Sequence, residues 1–306
     1  MITLPAAPLC NLNATLREMG LRGGGPVSLS LGNDGQIYLL LARQGAWEGT
    51  HFLPAPSCAY SALVLMPDWA EGTLVHRQRL DFGCPGLAPD FLQPLGEHYL
   101  LVDACAQHLP GGGWAQNAAI IDGQGRIQRR FSLGDDVQCC LVDGRNEILA
   151  GYGDLGVLGT GGDAPIGAPG LIRWSGSGER LWANRGIEIL HCYALHLDAG
   201  DRPWFYSYLG FPLVRVAADG AYRTFAPGVP YADDFLISRR GDAALFLCHR
   251  PTTGWEFLRV MLADGSAPPE PCRILGENGP LIPRLWAFRC GAAVIWHGDY
   301  LYGFIW

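Results

Sequence analysis

VQCCLVDGRNEILAGY, residues 137–152, decides the fold of this chain. Two short runs rich in β-formers flank the polar turn DGRN, which reads as a β-hairpin. The same grammar recurs in VSLSLGNDGQIYLLLA (27–42), FLQPLGEHYLLVDA (91–104) and CYALHLDAGDRPWFYSY (192–208). DFLISRRGDAALFLCH (234–249) and RLWAFRCGAAVIWHG (284–298) repeat it again. The spacing, roughly 40–60 residues, is that of a propeller blade.

A second hairpin follows the first. NAAIIDGQGRIQRRFSLGD (117–135), GLIRWSGSGERLWANRG (170–186) and PLVRVAADGAYRTFAPG (212–228) show it, as does FLRVMLADGSAPPEPCRILG (257–276). SALVLMPDWAEGTLVHRQRLDFG (61–83) does so with a longer turn. Two hairpins make four strands, A to D. RIQRRFSL, ERLWANR and AYRTFAP are the most polar, as an exposed outer D strand should be. The expectation is all-β: a single domain over 1–306 forming a six-bladed β-propeller of four-stranded antiparallel blades. The last unit ends at YLYGFIW (300–306) without a D strand. MITLPAAPL at the N-terminus would supply it and close the ring. Residues 13–20 read as a short helical connector with Asn13 as N-cap. GTGGDAPIGAPG (159–170) reads as a long B–C loop.

Composition narrows the function. Net charge is −7, and the 22 basic residues are all Arg, so lysine-dependent covalent chemistry is excluded. No basic stripe exists, which argues against nucleic acid as partner. The ten Cys form no C-x-x-C pair, as expected of free thiols in a reducing compartment. Cys139 and Cys140 should face opposite ways on a strand, and His196 should share a face with Cys192. With neither a signal-peptide pattern nor a long apolar stretch, the expected location is cytoplasmic, with no membrane partner.

GLIRWSGSGERLW and FPLVRVAADGAYRTF look like x-L-x-R-x-x-x-x-G blade strands, and the chain resembles six-bladed propellers of the NHL-repeat and gluconolactonase-like kind. HCYALHLDAGDRPWFYSY with FPLVRV is also similar to uncharacterised bacterial propellers. The gluconolactonase-like resemblance implies a divalent cation on the axis, held by a Glu, one or two Asn and an Asp. This sequence offers no clear match to that set.

In a propeller the D–A and B–C connections share one face. Leading into the A strands are Asp90, Asp135, Asp136, His191, Asp233, Asp234 and Arg284. The B–C connections carry His51, His108, Asp154, Tyr208, His249 with Arg250, and His297 with Asp299. Such groups suit a divalent metal, Ca or Zn, with Asp136, Asp154, His191 and Asp234 as candidate ligands. They also suit acid–base work on an ester or lactone, with Asp136, His191, Asp234 and His249 as candidate catalytic residues. An Asp ahead of a strand also makes local turn hydrogen bonds, which is the structural alternative. Trp47, Trp114, Trp255, Tyr208 and Arg284 are candidate binding residues. Tryptophans that recur along a propeller mostly pack between blades.

Three functions follow. The leading one is a rigid binding module that recognises a protein or peptide through the loop-rich face. The second is a metal-dependent lactonase or esterase with its site on the axis and a small-molecule ligand in the central channel. The third is a carbohydrate-binding propeller.

Overall fold

The computed structural model describes the chain except residues 22–23, 49–50, 55–58, 160–163 and 263–267; the side chains of 46–48, 51–53 and 76 also lie outside the described residues. Six antiparallel sheets form the blades. Blade 1 comprises Gly25–Leu31, Ile37–Ala42, Ala59–Asp68 and Thr73–Gly83. Blade 2 comprises Phe91–Leu95, His98–Val102, Ala118–Ile121 and Ile127–Phe131. Blade 3 comprises Val137–Val142, Ile148–Tyr152, Leu171–Trp174 and Arg180–Ala183. Blade 4 comprises Cys192–Leu197, Pro203–Ser207, Leu213–Val216 and Tyr222–Phe225. Blade 5 comprises Asp234–Ile237, Ala243–Arg250, Gly254–Met261 and Glu270–Gly276, and blade 6 Leu285–Arg289, Ala292–His297 and Tyr300–Ile305.

The N-terminus closes the ring. Ala7–Asn11 pairs antiparallel with Tyr300–Ile305 as the fourth strand of blade 6. The preceding strand, Ile2–Pro5, instead adds parallel to the outer edge of blade 5, with Ile2 opposite Cys272 and Pro5 opposite Leu275. One short segment thus covers two outer edges that would otherwise be open to further pairing.

Helix α1 (Leu12–Glu18) is capped two residues earlier than its sequence suggests. Its N-cap is Asn11, whose side chain accepts from the Ala14 N–H at 2.8 Å. The strand pairing ends at Asn11, so that residue meets the first free helical amides. Asn13 donates to the Asp299 carboxylate at 2.6 Å instead.

Each B strand is covered on both sides by neighbouring blades, so its sequence is continuously apolar rather than alternating. Ile37–Ala42 and Pro203–Ser207 are buried along their whole length. Burying each such Leu or Ile contributes roughly 1.5–3 kcal/mol before conformational entropy is counted. The D strands are the polar edge: Arg180–Ala183 and Tyr222–Phe225 have no buried residue.

Recurrent Asp residues tie the turns opposite the loop-rich face. Asp122, Asp143 and Asp198 each accept from backbone N–H groups two and four residues on. Asp198 also accepts from Arg202 Nε and from the buried Trp204 Nε1 at 3.0 Å. At this lower end the axis is stitched across. Arg289 Nη2 of blade 6 donates to the Val142 carbonyl of blade 3 at 2.7 Å. Asn33 of blade 1 donates to the Asp143 carbonyl at 2.7 Å, and the Cys290 N–H to the Leu197 carbonyl at 3.1 Å.

Candidate binding face

The upper face carries the D–A and B–C connections. Many of its carboxylates are engaged by backbone amides. The Asp90 N–H donates to the Val102 carbonyl, and its carboxylate accepts from the Ala104 N–H at 2.7 Å. Asp233 repeats this with the Leu247 carbonyl and the His249 N–H, the latter at 2.7 Å. Asp135 accepts from the Ala106 N–H at 2.8 Å. The Asp90 and Asp233 bonds close the open ends of A–B hairpins, the local turn role of an Asp ahead of a strand, whereas the Asp135 bond ties blade 3 to the B–C connection of blade 2.

Asp136 has φ 54°, and its carboxylate accepts from the Leu155 and Gly156 amides at 3.0 and 3.2 Å. It thereby caps α2 (Asp154–Leu158), which opens the long B–C loop of blade 3. Asp154 and His191 approach at 3.6 Å, beyond hydrogen-bond length. Asp234 lies on blade 5 with its carboxylate on Trp286. Among the described residues no three His, Cys, Asp or Glu side chains group as a metal ion requires. Asp136, Asp154, His191 and Asp234 therefore do not present a shared Ca or Zn donor set.

Asp234 is chemically distinct. Burial pushes its carboxyl up to about 7, with Asp233 adding to the rise, against the opposing hydrogen bonds of the Phe235 N–H and Trp286 Nε1, both at 2.8 Å. Trp286 meets Trp255 at 5.0 Å between ring centroids, and Trp255 meets His249 at 4.8 Å. Asp234, His249 and Trp255 thus belong to one cluster, bridged by Trp286. Arg284, ahead of the same strand as Trp286, lies over a different ring, its guanidinium 4.7 Å from the Trp296 centroid. Trp114 is elsewhere, on the B–C loop of blade 2, packed edge-on against His108 at 5.4 Å. The side chains of Trp47 and His51 lie outside the described residues.

Blade 4 carries a second and larger aromatic cluster. His191 packs at a tilt against Tyr193, 4.5 Å between ring centroids. Tyr193 touches Phe211, and Phe211 meets Tyr231 at 4.5 Å and Tyr208 at 5.8 Å. Its outer members are open to solvent: Tyr231 is 59 % exposed and Leu209 45 %. On α2, next to Asp154, Leu155 and Leu158 are 55 % and 67 % exposed.

The backbone is strained here. Leu209, Phe211 and Tyr231 have φ of 75°, 54° and 53°. Bulky residues rarely adopt this left-handed region, at a cost of about 1–3 kcal/mol each. Such strain persists where the surroundings impose it, and it concentrates at ligand clamps.

Below, the inner strand of blade 4 buries a polar side chain. His196 is 1 % exposed with neither ring nitrogen partnered, and burial with the Arg289 charge lowers its pKa to about 3. It does not share a face with Cys192: a bulge between Cys192 and Ala194 reverses the alternation. Cys192 packs between blades 3 and 4 with Leu195 and Leu197, and His196 turns toward Phe235 of blade 5. Cys139 and Cys140 do face opposite interfaces.

Sequence reasoning put weight on tryptophans and missed Tyr193, Phe211 and Tyr231. A signal existed: Tyr208-Leu209-Gly210-Phe211 puts three bulky residues in a turn too short to bury them.

No protein-family model matches the chain, and no curated protein matches it. Solved propellers are similar in fold. Virginiamycin B lyase from Staphylococcus aureus is 12 % identical, with a TM-score of 0.46 and 91 % of this chain and 94 % of that one covered. A gluconolactonase from Xanthomonas campestris is 14 % identical, with a TM-score of 0.43 and coverage of 98 % and 97 %. YCF48 bound to a D1 peptide is 10 % identical, with a TM-score of 0.46 and coverage of 93 % and 89 %. Likenesses this distant assign no activity. No helix among the described residues is long and apolar enough to cross a membrane.

Proposed function

We propose that the chain is a rigid binding module that recognises a protein or peptide partner through its upper face. The observation that supports this reading is the aromatic cluster of blade 4, held open to solvent on a strained backbone. Exposed aromatics on a preorganised scaffold lose little entropy on binding and supply most of the energy at interface hot spots. The engagement of Asp90, Asp135, Asp136 and Asp233 by backbone amides favours binding over metal-assisted hydrolysis. The test is affinity capture from the native host with the wild type and with Tyr208→Ala/Tyr231→Ala. A partner held by the wild type and lost from the folded double variant supports the reading. A partner held equally by both counts against it.

A second reading, a lactonase or esterase, draws on Asp234, a carboxyl titrating near neutrality beside His249 and Trp255. Hydrolysis of a lactone or ester panel that disappears in Asp234→Asn would favour it.

A further inference from the structure

Resting on the binding-module reading, we propose that the partner is a cationic peptide segment, one that sets an aromatic or aliphatic side chain among Tyr208, Leu209, Phe211 and Tyr231 and its Arg or Lys residues against the surrounding carboxylates.

Two independent observations meet at this place. The first is backbone geometry. Seven described non-glycine residues have positive φ, and four of them, Asp136, Leu209, Phe211 and Tyr231, belong to the connections that frame the aromatic cluster. Two of the others, Asn146 and Asp201, are residue types that tolerate this conformation in turns. Leu, Phe and Tyr do not, and burial does not account for Leu209 and Tyr231, which face solvent. Phe211 roots the turn at 208–211 on the core beside Tyr206, while Leu209 and Tyr208 are held outward. An apolar anchor residue on the partner is the group that such a surface would bury.

The second observation is charge. The connections framing the cluster (132–136, 153–159, 184–191, 208–212, 226–233 and 249–254) contain Asp135, Asp136, Asp154, Glu188 and Asp233. Against these five carboxylates stand Arg185 and Arg250. Arg250 is already held by Glu256 at 2.6 Å and by the Pro230 carbonyl. Asp154 and Glu188 are exposed, and Asp154 sits in the first turn of α2, next to His191. The patch is therefore apolar at its centre and acidic around it. Its electrostatic complement is a basic segment, and the surrounding charges act chiefly on the rate of encounter.

The test is selection of a random peptide library displayed on phage against the full-length protein, then fluorescence anisotropy with the synthesised winners. Enriched peptides should carry Arg or Lys within a few residues of Trp, Tyr, Phe or Leu. Their binding should weaken at least about 10-fold in Tyr208→Ala/Tyr231→Ala. It should weaken about 10-fold in Asp154→Arg/Glu188→Arg and fall as salt rises from 50 to 300 mM, mainly through a slower on-rate. Both double variants alter exposed side chains, and an unchanged thermal midpoint confirms that they fold. Neutral or acidic winners that still require Tyr208 and Tyr231 would overturn the cationic assignment and leave the binding face intact. Winners indifferent to all four substitutions would overturn the site itself. Concentration-dependent dimerisation in sedimentation velocity, abolished by Tyr208→Ala/Tyr231→Ala, would give the face to a second copy of this chain and overturn the proposal.

Discussion

Replacing Asp234 with Asn removes an ionisable group and keeps one of two acceptors: the Phe235 N–H donates to Oδ1 and Trp286 Nε1 to Oδ2, so one donor loses its partner, at a pH-independent cost of about 1–3 kcal/mol. The folded carboxyl titrates near 7, against an ordinary value of 3.8. At about 1.4 kcal/mol per pKa unit, that costs the folded state up to about 4 kcal/mol at pH 8. At pH 5 the folded group is already neutral, and the cost falls to about 1.5 kcal/mol. The sign follows from proton counting. The folded state binds more protons than the unfolded between the two pKa values, so wild-type stability falls as pH rises from about 4 to about 7. Asp234 is only partly shielded, and water near the carboxyl roughly halves these figures. Set against the lost hydrogen bond, Asp234→Asn should be close to neutral at pH 8 and destabilising by about 1 kcal/mol at pH 5, so the difference moves in the variant's favour as pH rises. Urea unfolding of both proteins at the two pH values reads this directly. A difference that does not change with pH, or that moves against the variant as pH rises, would refute the reasoning.

Other consequences can be measured the same way. Burial raises the Asp198 carboxyl, but the Trp204 indole, the Gly200 and Arg202 amides and the Arg202 guanidinium lower it on balance below its usual value. Its stabilisation is present above the unfolded pKa near 4 and is lost as pH falls through the depressed folded value. Asp198→Ala should cost about 3 kcal/mol at pH 7, much of it from the orphaned Trp204 Nε1, and the difference should shrink in acid-unfolding curves. Leu209→Gly should raise stability by about 0.5–1 kcal/mol by releasing left-handed strain, while peptide binding falls; a loss above 1 kcal/mol in urea would show that no strain is held there. Asp136→Ala should cost about 1–2 kcal/mol and loosen α2 in hydrogen exchange, whereas Asp136→Asn, which keeps an acceptor and tolerates positive φ, should cost little.

The architecture was legible because a blade repeats one local pattern. All six A–B hairpins stand where the sequence placed them, and the missing D strand is supplied by Ala7–Asn11. The parallel pairing of Ile2–Pro5 with blade 5 left no trace, since no spacing rule links an isolated four-residue strand to its partner. Strand alternation gave the opposed faces of Cys139 and Cys140. It failed for Cys192 and His196 because one bulged residue shifts every later side chain. The loop-rich face was likewise legible, with Asp90, Asp135, Asp136 and Asp233 in the connections, although Asp234 opens the A strand of blade 5. Whether an Asp there binds a ligand or a backbone amide depends on which amides the turn leaves free, a property of dihedral angles rather than of residue types. The aromatic cluster joins three connections (His191, Tyr208 to Phe211, and Tyr231) to the strand residue Tyr193, so it exists only once blade 4 has folded and brought residues 191, 211 and 231 to one end.

A photo-crosslinking amino acid placed at Tyr231, on the upper face, and in a second protein at Leu181, on the outer strand of blade 3, tests the central claim inside the native host. Both sites are well exposed. The account predicts a discrete adduct to one partner from position 231 and none from position 181. The same partner captured from 181 and absent at 231 would contradict it.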